Sequence, residues 1–396
     1  MGMDFPMYRF NGSPCSRSIL YPSSLIFRYL LFLSLSTKNQ SISSTHFHST
    51  HYLPLYYGPL ISFSLNGLEL SKLNNVATFV VLAMALRTQP DALTLVLTNM
   101  KERPTYQGQD KLPVIIWMMA QASQGDLSAG LFSWVQTLLP LVVNECCSSQ
   151  AIDLILQFVE MILSSNPESR AVLLNEPVRH GVRLIPPCSF EMLVRLTFPP
   201  SSARVESTQR FEAIYPLLKE VALAPDISAN ALKQIFTFSL KLAGGQGNPA
   251  LANEATAIAI SVLTQNVDCF KQWDVLYKEN LEASVALLNK LVDEWKDHSL
   301  KLSSSSSDTL TVKHAMNSFR MKNEKAITEG VTSLSLYKEA DKSCKLISWR
   351  LSCGLRLASL TTMVIAAAGG FAGAALFQSI LPIVGDGFHR PSRPKE

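Results

Sequence analysis

Nothing between Leu357 and Gly385 carries a charge, and Arg356 and Asp386 close the two ends of that run. A helix rises about 1.5 Å per residue, so roughly 20 apolar residues cross a hydrocarbon core about 30 Å thick. The run is long enough to do so. Its polar residues, Ser359, Thr361, Thr362, Gln378 and Ser379, do not line up as a face that would keep the helix in water. The expectation is one C-terminal transmembrane helix over 357–381, followed by a short tail over 382–396. The competing reading is a buried last helix of a water-soluble domain. So little chain follows the span that insertion would come after translation, the arrangement of a tail-anchored protein. Inside the span Gly369 and Gly373 make a small-xxx-small pair that lets two helix backbones approach closely, which points to a homo-oligomer. An Ala/Gly-rich helix also produces that spacing by chance.

Charge is distributed unevenly around this run. Residues 312–356 hold nine Lys and Arg against four acids, whereas the body over 70–311 is mildly acidic. Lys338, Lys342, Lys345, Arg350 and Arg356 precede the uncharged run, and Arg390, Arg393 and Lys395 follow it. This suits a juxtamembrane segment beside an anionic cytosolic leaflet, where each Lys or Arg gains about 1 kcal/mol. The excess before the span places the N-terminal body on the cytosolic side. A nucleic-acid binder would instead cluster its basic residues on the folded domain, interleaved with stacking aromatics, so nucleic acid is excluded as a partner.

The seven cysteines show no metal-ligand spacing and read as reduced thiols in a cytosolic domain. The adjacent Cys146 and Cys147 read as core residues. Cys344 and Cys353, just ahead of the span, are candidates for palmitoylation.

Residues 1–69 are rich in Ser, Tyr, Phe and His and lack periodicity. They read as a divergent, disordered stretch, with a targeting segment or a signal anchor as alternatives. From 70 to 298 the pattern is helix after helix. Ile152, Ile155, Val159, Ile162 and Leu163 share one face; so do Phe211, Ile214, Tyr215, Leu218 and Ala222, and again Leu281, Val285, Leu288, Leu291, Val292 and Trp295. Polar residues mark the starts: Asp126 before Leu127, Asn166 before Pro167, Ser228 before Ala229, Asn248 before Pro249. The fold class is therefore all-α. The body is a HEAT- or armadillo-like α-solenoid or an irregular helical array. Ser303 to Ser307 place a flexible serine-rich linker over 299–311. Beyond it, Met316, Phe319, Ile327, Leu334, Tyr337, Leu346 and Ile347 sit among Lys and Glu, giving amphipathic juxtamembrane helices over 312–356.

Chemistry finds little to attach to. The glycines from Gly244 to Gly247 follow no strand and precede no Lys-Ser/Thr, so they read as a helix stop and not a phosphate loop. His180 and His298 have no neighbouring cysteine or carboxylate arrangement suited to a metal and read as surface or capping residues. The expectation is no enzyme, no cofactor and no metal.

Several strings carry a resemblance: NVATFVVLAMALR over 75–87, the stretch over 106–142 that begins YQGQDKLPVIIWMMAQ, the stretch over 186–224 that begins PPCSFEMLVRLTFPP, DCFKQWDVLYKENL from 268, and FRMKNEKAI over 319–327. Together they resemble the plant branch of the transmembrane protein 214 family, from about Ser71 to about Ser352. The resemblance implies an endoplasmic reticulum membrane protein with a helical cytosolic region and a C-terminal anchor. Animal members are associated with cell death under endoplasmic reticulum stress through recruitment of a caspase precursor. The family carries no known catalytic residues. Residues 1–69 depart from it, as does the chain beyond Cys353.

From these readings the expected function is a membrane-anchored scaffold that binds proteins at the cytosolic face of the endoplasmic reticulum. The alternative is a trafficking or tethering factor whose basic segment holds acidic membrane lipid. An enzyme with an unrecognised site is a third class, and no motif supports it.

Overall fold

The computed structural model describes residues 72–100, 109–144, 146–164, 168–179, 181–225, 228–245 and 247–352. The segment over 1–69, Asn166, His180, Cys353, Arg356, Gly369, Gly373, the span over 357–381 and the tail all lie outside the described residues. Within them the chain is predominantly helical, and it divides into two compact units, one ending at Val262 and one beginning at Leu263.

The first unit holds α1 (Lys72–Thr88), α2 (Asp91–Met100), α3 (Leu112–Gly125), α4 (Leu127–Ser133), α5 (Leu139–Val142), α6 (Ser149–Ser164) and α7 (Ser169–Asn175). A hairpin of β1 (Val178–Arg179) and β2 (Val182–Arg183) follows, then α8 (Pro187–Thr197), α9 (Glu206–Ala222) and α10 (Ala229–Ala243). Helix α11 (Pro249–Gln265) crosses the boundary. Neighbours in sequence pack together, α3 on α4 and α8 on α9, and so do next-but-one helices, α1 on α3 and α8 on α10.

The spacings that define these helices also define the core. Ile155, Val159 and Ile162 of α6 are buried, as are Phe211, Ile214, Tyr215, Leu218 and Ala222 of α9. Burying each large apolar side chain stabilises the fold by about 1.5–3 kcal/mol. Polar residues satisfy the free N–H groups at helix starts. Asp126 accepts from Ser128 N at 2.8 Å, Ser228 from Ala231 N at 3.3 Å and Asn248 from Leu251 N at 3.2 Å. Pro216 and Pro140 each lie inside a helical stretch. Pro216 of α9 lies on the exposed face of the helix, where its ring removes one backbone hydrogen bond. Pro140 is preceded by a π-helical turn, Trp134–Leu138, whose wider coil makes room for the ring. Trp134 in that turn is fully buried and donates to Ile155 O at 3.0 Å.

The hairpin is too short for alternation to reveal it in the sequence. Gly181 turns it with a φ of 74°. Arg179 holds it in place by ion pairs to Asp91, at the start of α2, and to Asp126, the cap of α4.

The second unit contains α12 (Cys269–Leu276), α13 (Leu281–Asp293), α14 (Trp295–Leu302), α15 (Ser306–Glu329) and a last helix, α16, over 334–352. Its centre is aromatic. Tyr277 stacks on Phe319 with centroids 4.2 Å apart, and Trp273 meets Phe319 at 5.1 Å. The polar tips are matched: Trp273 Nε1 donates to Ser284 Oγ at 3.0 Å and Tyr277 Oη to Asn323 Oδ1 at 2.9 Å.

Here three expectations are corrected. The linker over 299–311 is mostly helix, broken only at 303–305. Leu302 ends α14 fully buried, and Ser305 caps α15 by accepting from Asp308 N at 3.0 Å. Secondly, the segment over 312–356 is helical as far as residue 352, apart from the turn at 330–333, but it does not stand as a division of its own: Phe319 lies in the core and Lys322 Nζ pairs with Asp274 Oδ1 at 2.8 Å. The unit boundary falls at 262/263, well before 298. Thirdly, Trp295 does not continue the face of α13, because the chain turns at Glu294 and Trp295 opens α14.

Candidate functional site

The last described helix presents most of the basic residues singled out in the sequence. Gly330 ends α15 in the left-handed region at φ 69°, and Val331 N reaches back to Ala326 O at 3.3 Å, closing the helix as a Schellman turn does. Ser333 O then receives Tyr337 N at 3.3 Å as α16 begins. One face of α16 enters the unit: Ala340, Cys344 and Ile347 are fully buried, and Tyr337 and Leu351 nearly so. Polar contacts fix its rotation. Asn289 of α13 donates to Glu339 Oε1 at 2.6 Å and accepts from Ser343 Oγ at 2.8 Å.

The opposite face points outward. Lys338, Lys342 and Lys345 are exposed, with Leu346 and with Trp349, which is 64 % exposed. At about 3.6 residues per turn these five fall within about 100° of one another around the helix. Lys345 Nζ also pairs with Asp341 Oδ2 at 2.6 Å, and Asp341 is shared with Arg320 Nε at 3.4 Å. Arg350 is placed differently: half-buried, it donates to Val292 O near the end of α13, so its charge serves a helix terminus.

Cys344 is fully buried, and an acyl chain reaches its sulfur only if α16 lifts away. Burial, with the charge of Asp341 adding to it, pushes its thiol up to about 12. The adjacent cysteines are a further correction. Cys146 is exposed and Cys147 half-buried, so this pair does not fill a core. Among the described residues no group of His, Cys, Asp and Glu is arranged to hold a metal ion. His298 sits 3.2 Å from Glu294 at the junction of α13 and α14. Lys290, and then His298, hold the Glu294 carboxyl below its usual range. The glycine-rich turn after α10 keeps one left-handed residue, Gly247 at φ 107°, and Gly244 is in the right-handed region.

Trp349 and the outward turn of Leu346 were missed in the sequence. The signal was there in the spacing Lys338, Lys342, Lys345, Trp349, but only the buried side of α16 fixes which way that strip faces.

A family model described as TMEM214, C-terminal, caspase 4 activator, matches residues 69–369. The chain belongs to the TMEM214 family. It is 24 % identical to human transmembrane protein 214 over 238 residues, covering 59 % of this chain and 31 % of that protein. Against transmembrane protein 214-B of Xenopus laevis it is 23 % identical over 245 residues, 62 % of this chain and 33 % of the relative. The mouse protein is likewise 23 % identical over 236 residues. The chain thus spans about a third of the length of these relatives. No solved structure matches it. The TMEM214 match runs through α16 and into the uncharged run. Among the described residues no helix is long and apolar enough to cross a membrane, and the span read from the sequence lies beyond them.

Proposed function

We propose that this TMEM214 family member is a non-enzymatic, membrane-anchored helical scaffold that recruits protein partners to the cytosolic face of the endoplasmic reticulum. One observation carries the reading: a folded helical unit continues to residue 352, and an uncharged run long enough for a membrane span starts at Leu357. Helices that pack on their sequential and next-but-one neighbours support a solenoid-like body, a form that presents extended binding surfaces. The family description, a caspase 4 activator, supports a partner drawn from cell-death signalling. The anchor then sets where that partner is gathered.

The test uses cells that express a caspase 4 precursor together with the full chain. The precursor moves into the membrane fraction, still does so when 357–381 are exchanged for an unrelated tail anchor, and no longer does so when the run is deleted. A precursor that stays soluble beside the membrane-bound chain contradicts this partner assignment. A second reading, attachment to acidic lipid through the basic segment, is favoured by the lysines on the outward face of α16.

A further inference from the structure

We propose that the outward strip of α16, formed by Lys338, Lys342, Lys345, Leu346 and Trp349, lies on an acidic membrane surface, with Trp349 and Leu346 at headgroup depth and the lysines against the lipid charge.

The strip is built for that environment in three respects. First, it joins cations to a large amphipathic ring. Trp349 is exposed although Trp117, Trp134 and Trp273 are buried. Indole side chains are enriched at membrane–water interfaces, where the ring sits among headgroups and its N–H stays hydrated. Secondly, no acidic residue interrupts it. Asp341 lies on the buried side, held by Arg320 and Lys345; Glu339, exposed just beyond Leu346 at the margin of the strip, has one carboxylate oxygen taken by Asn289. Thirdly, it stands where a membrane surface is expected, since the uncharged run from Leu357 follows α16 closely in sequence.

The pattern is that of an interfacial amphipathic helix. It differs in one way: its inner face is already occupied by the protein core, so only a narrow outer strip meets lipid. From Lys338 to Trp349 that strip is about 17 Å long at 1.5 Å per residue. Each lysine held near such a surface strengthens attachment about fivefold. Lys345 contributes less, because Asp341 already holds it. The contact would orient the folded unit against the bilayer, where a single flexible tether would leave it free to tumble.

This inference rests on the anchored reading above, and the experiment separates the two. The full chain is placed in nanodiscs that contain phosphatidylserine and lipids brominated near the headgroup end of their acyl chains. Co-elution with the discs reports anchoring. Tryptophan emission, compared with a Trp349→Phe variant, isolates the share of Trp349. The expected result is a blue-shifted Trp349 share that the bromines quench. That quenching is lost in discs of phosphatidylcholine alone, and in a Lys338→Glu/Lys342→Glu variant that leaves the Lys345–Asp341 pair intact. A chain bound to discs whose Trp349 stays unquenched overturns the contact and leaves the strip to a protein partner. Quenching that persists after the lysines are reversed overturns their role. A chain that elutes free of the discs overturns the anchored reading and this inference with it.

Discussion

Arg179 belongs to a two-residue strand, yet its guanidinium reaches the carboxylates of Asp91 and Asp126, which open α2 and α4. Both acids lie at helix N-termini, where the backbone dipoles favour negative charge, so the cation meets partners that are already fixed. Burial acts to lower the pKa of Arg179, and the two carboxylates more than offset it. Arg179→Met therefore takes the cation away from two part-buried carboxylates. The expected loss is about 2 kcal/mol in urea unfolding, below the roughly 3–5 kcal/mol of a fully buried pair because both acids keep contact with water. Gly125 answers to packing alone: a Cβ there would lie 2.0 Å from Arg87 O, backbone that cannot rotate away. Gly125→Ala should cost about 1–3 kcal/mol as α1 and α3 are forced apart. For Cys344 the sign follows from proton binding. The folded thiol, raised to about 12, keeps a proton that an unfolded cysteine releases near 9.0. Its contribution to stability is complete below about pH 9 and declines as pH climbs towards 12. At pH 8 iodoacetamide should label Cys146 in the folded chain and spare Cys344 until denaturant is added; equal labelling would contradict the packing of α16.

Elements differ in how far their sequences disclose them. Helices α6 and α9 were legible because each buries one face, and a single buried face imposes a helical period on the residues. Asp126, Ser228 and Asn248 were legible as caps for a local reason: a short acceptor just ahead of an apolar run satisfies N–H groups that the helix cannot. The serine run misled, since serine carries no apolar period, and the same residue type serves a linker or an N-cap. Only the burial of Leu302 and of Thr309 on either side shows that the turn is pinned. Ser305→Ala is accordingly expected to cost about 1 kcal/mol of unfolding free energy. Limited proteolysis should spare 303–307 in the native chain, and preferential cutting there would restore the flexible linker. Helix α16 was half legible. Its lysines stood out by charge, but the sequence alone ranked Leu346 with Ile347 as one apolar group. The fold sends Ile347 into the core and Leu346 outward beside Trp349.

Taken as a whole, the chain sets an acidic helical body before a basic segment and an uncharged run, in the sequence order that a cytosolic body on a C-terminal anchor requires. The family match shows which proteins it belongs with, and the packing of 312–352 into the second unit carries the described fold to Ser352, a few residues short of that run in sequence. On the proposed reading the run spans the membrane and leaves the body outside the lumen. Its most direct test appends a glycosylation-acceptor tag after Glu396 and translates the chain with endoplasmic reticulum microsomes. A glycosylated product that resists alkaline extraction is expected. An unmodified product that alkali extracts would contradict it.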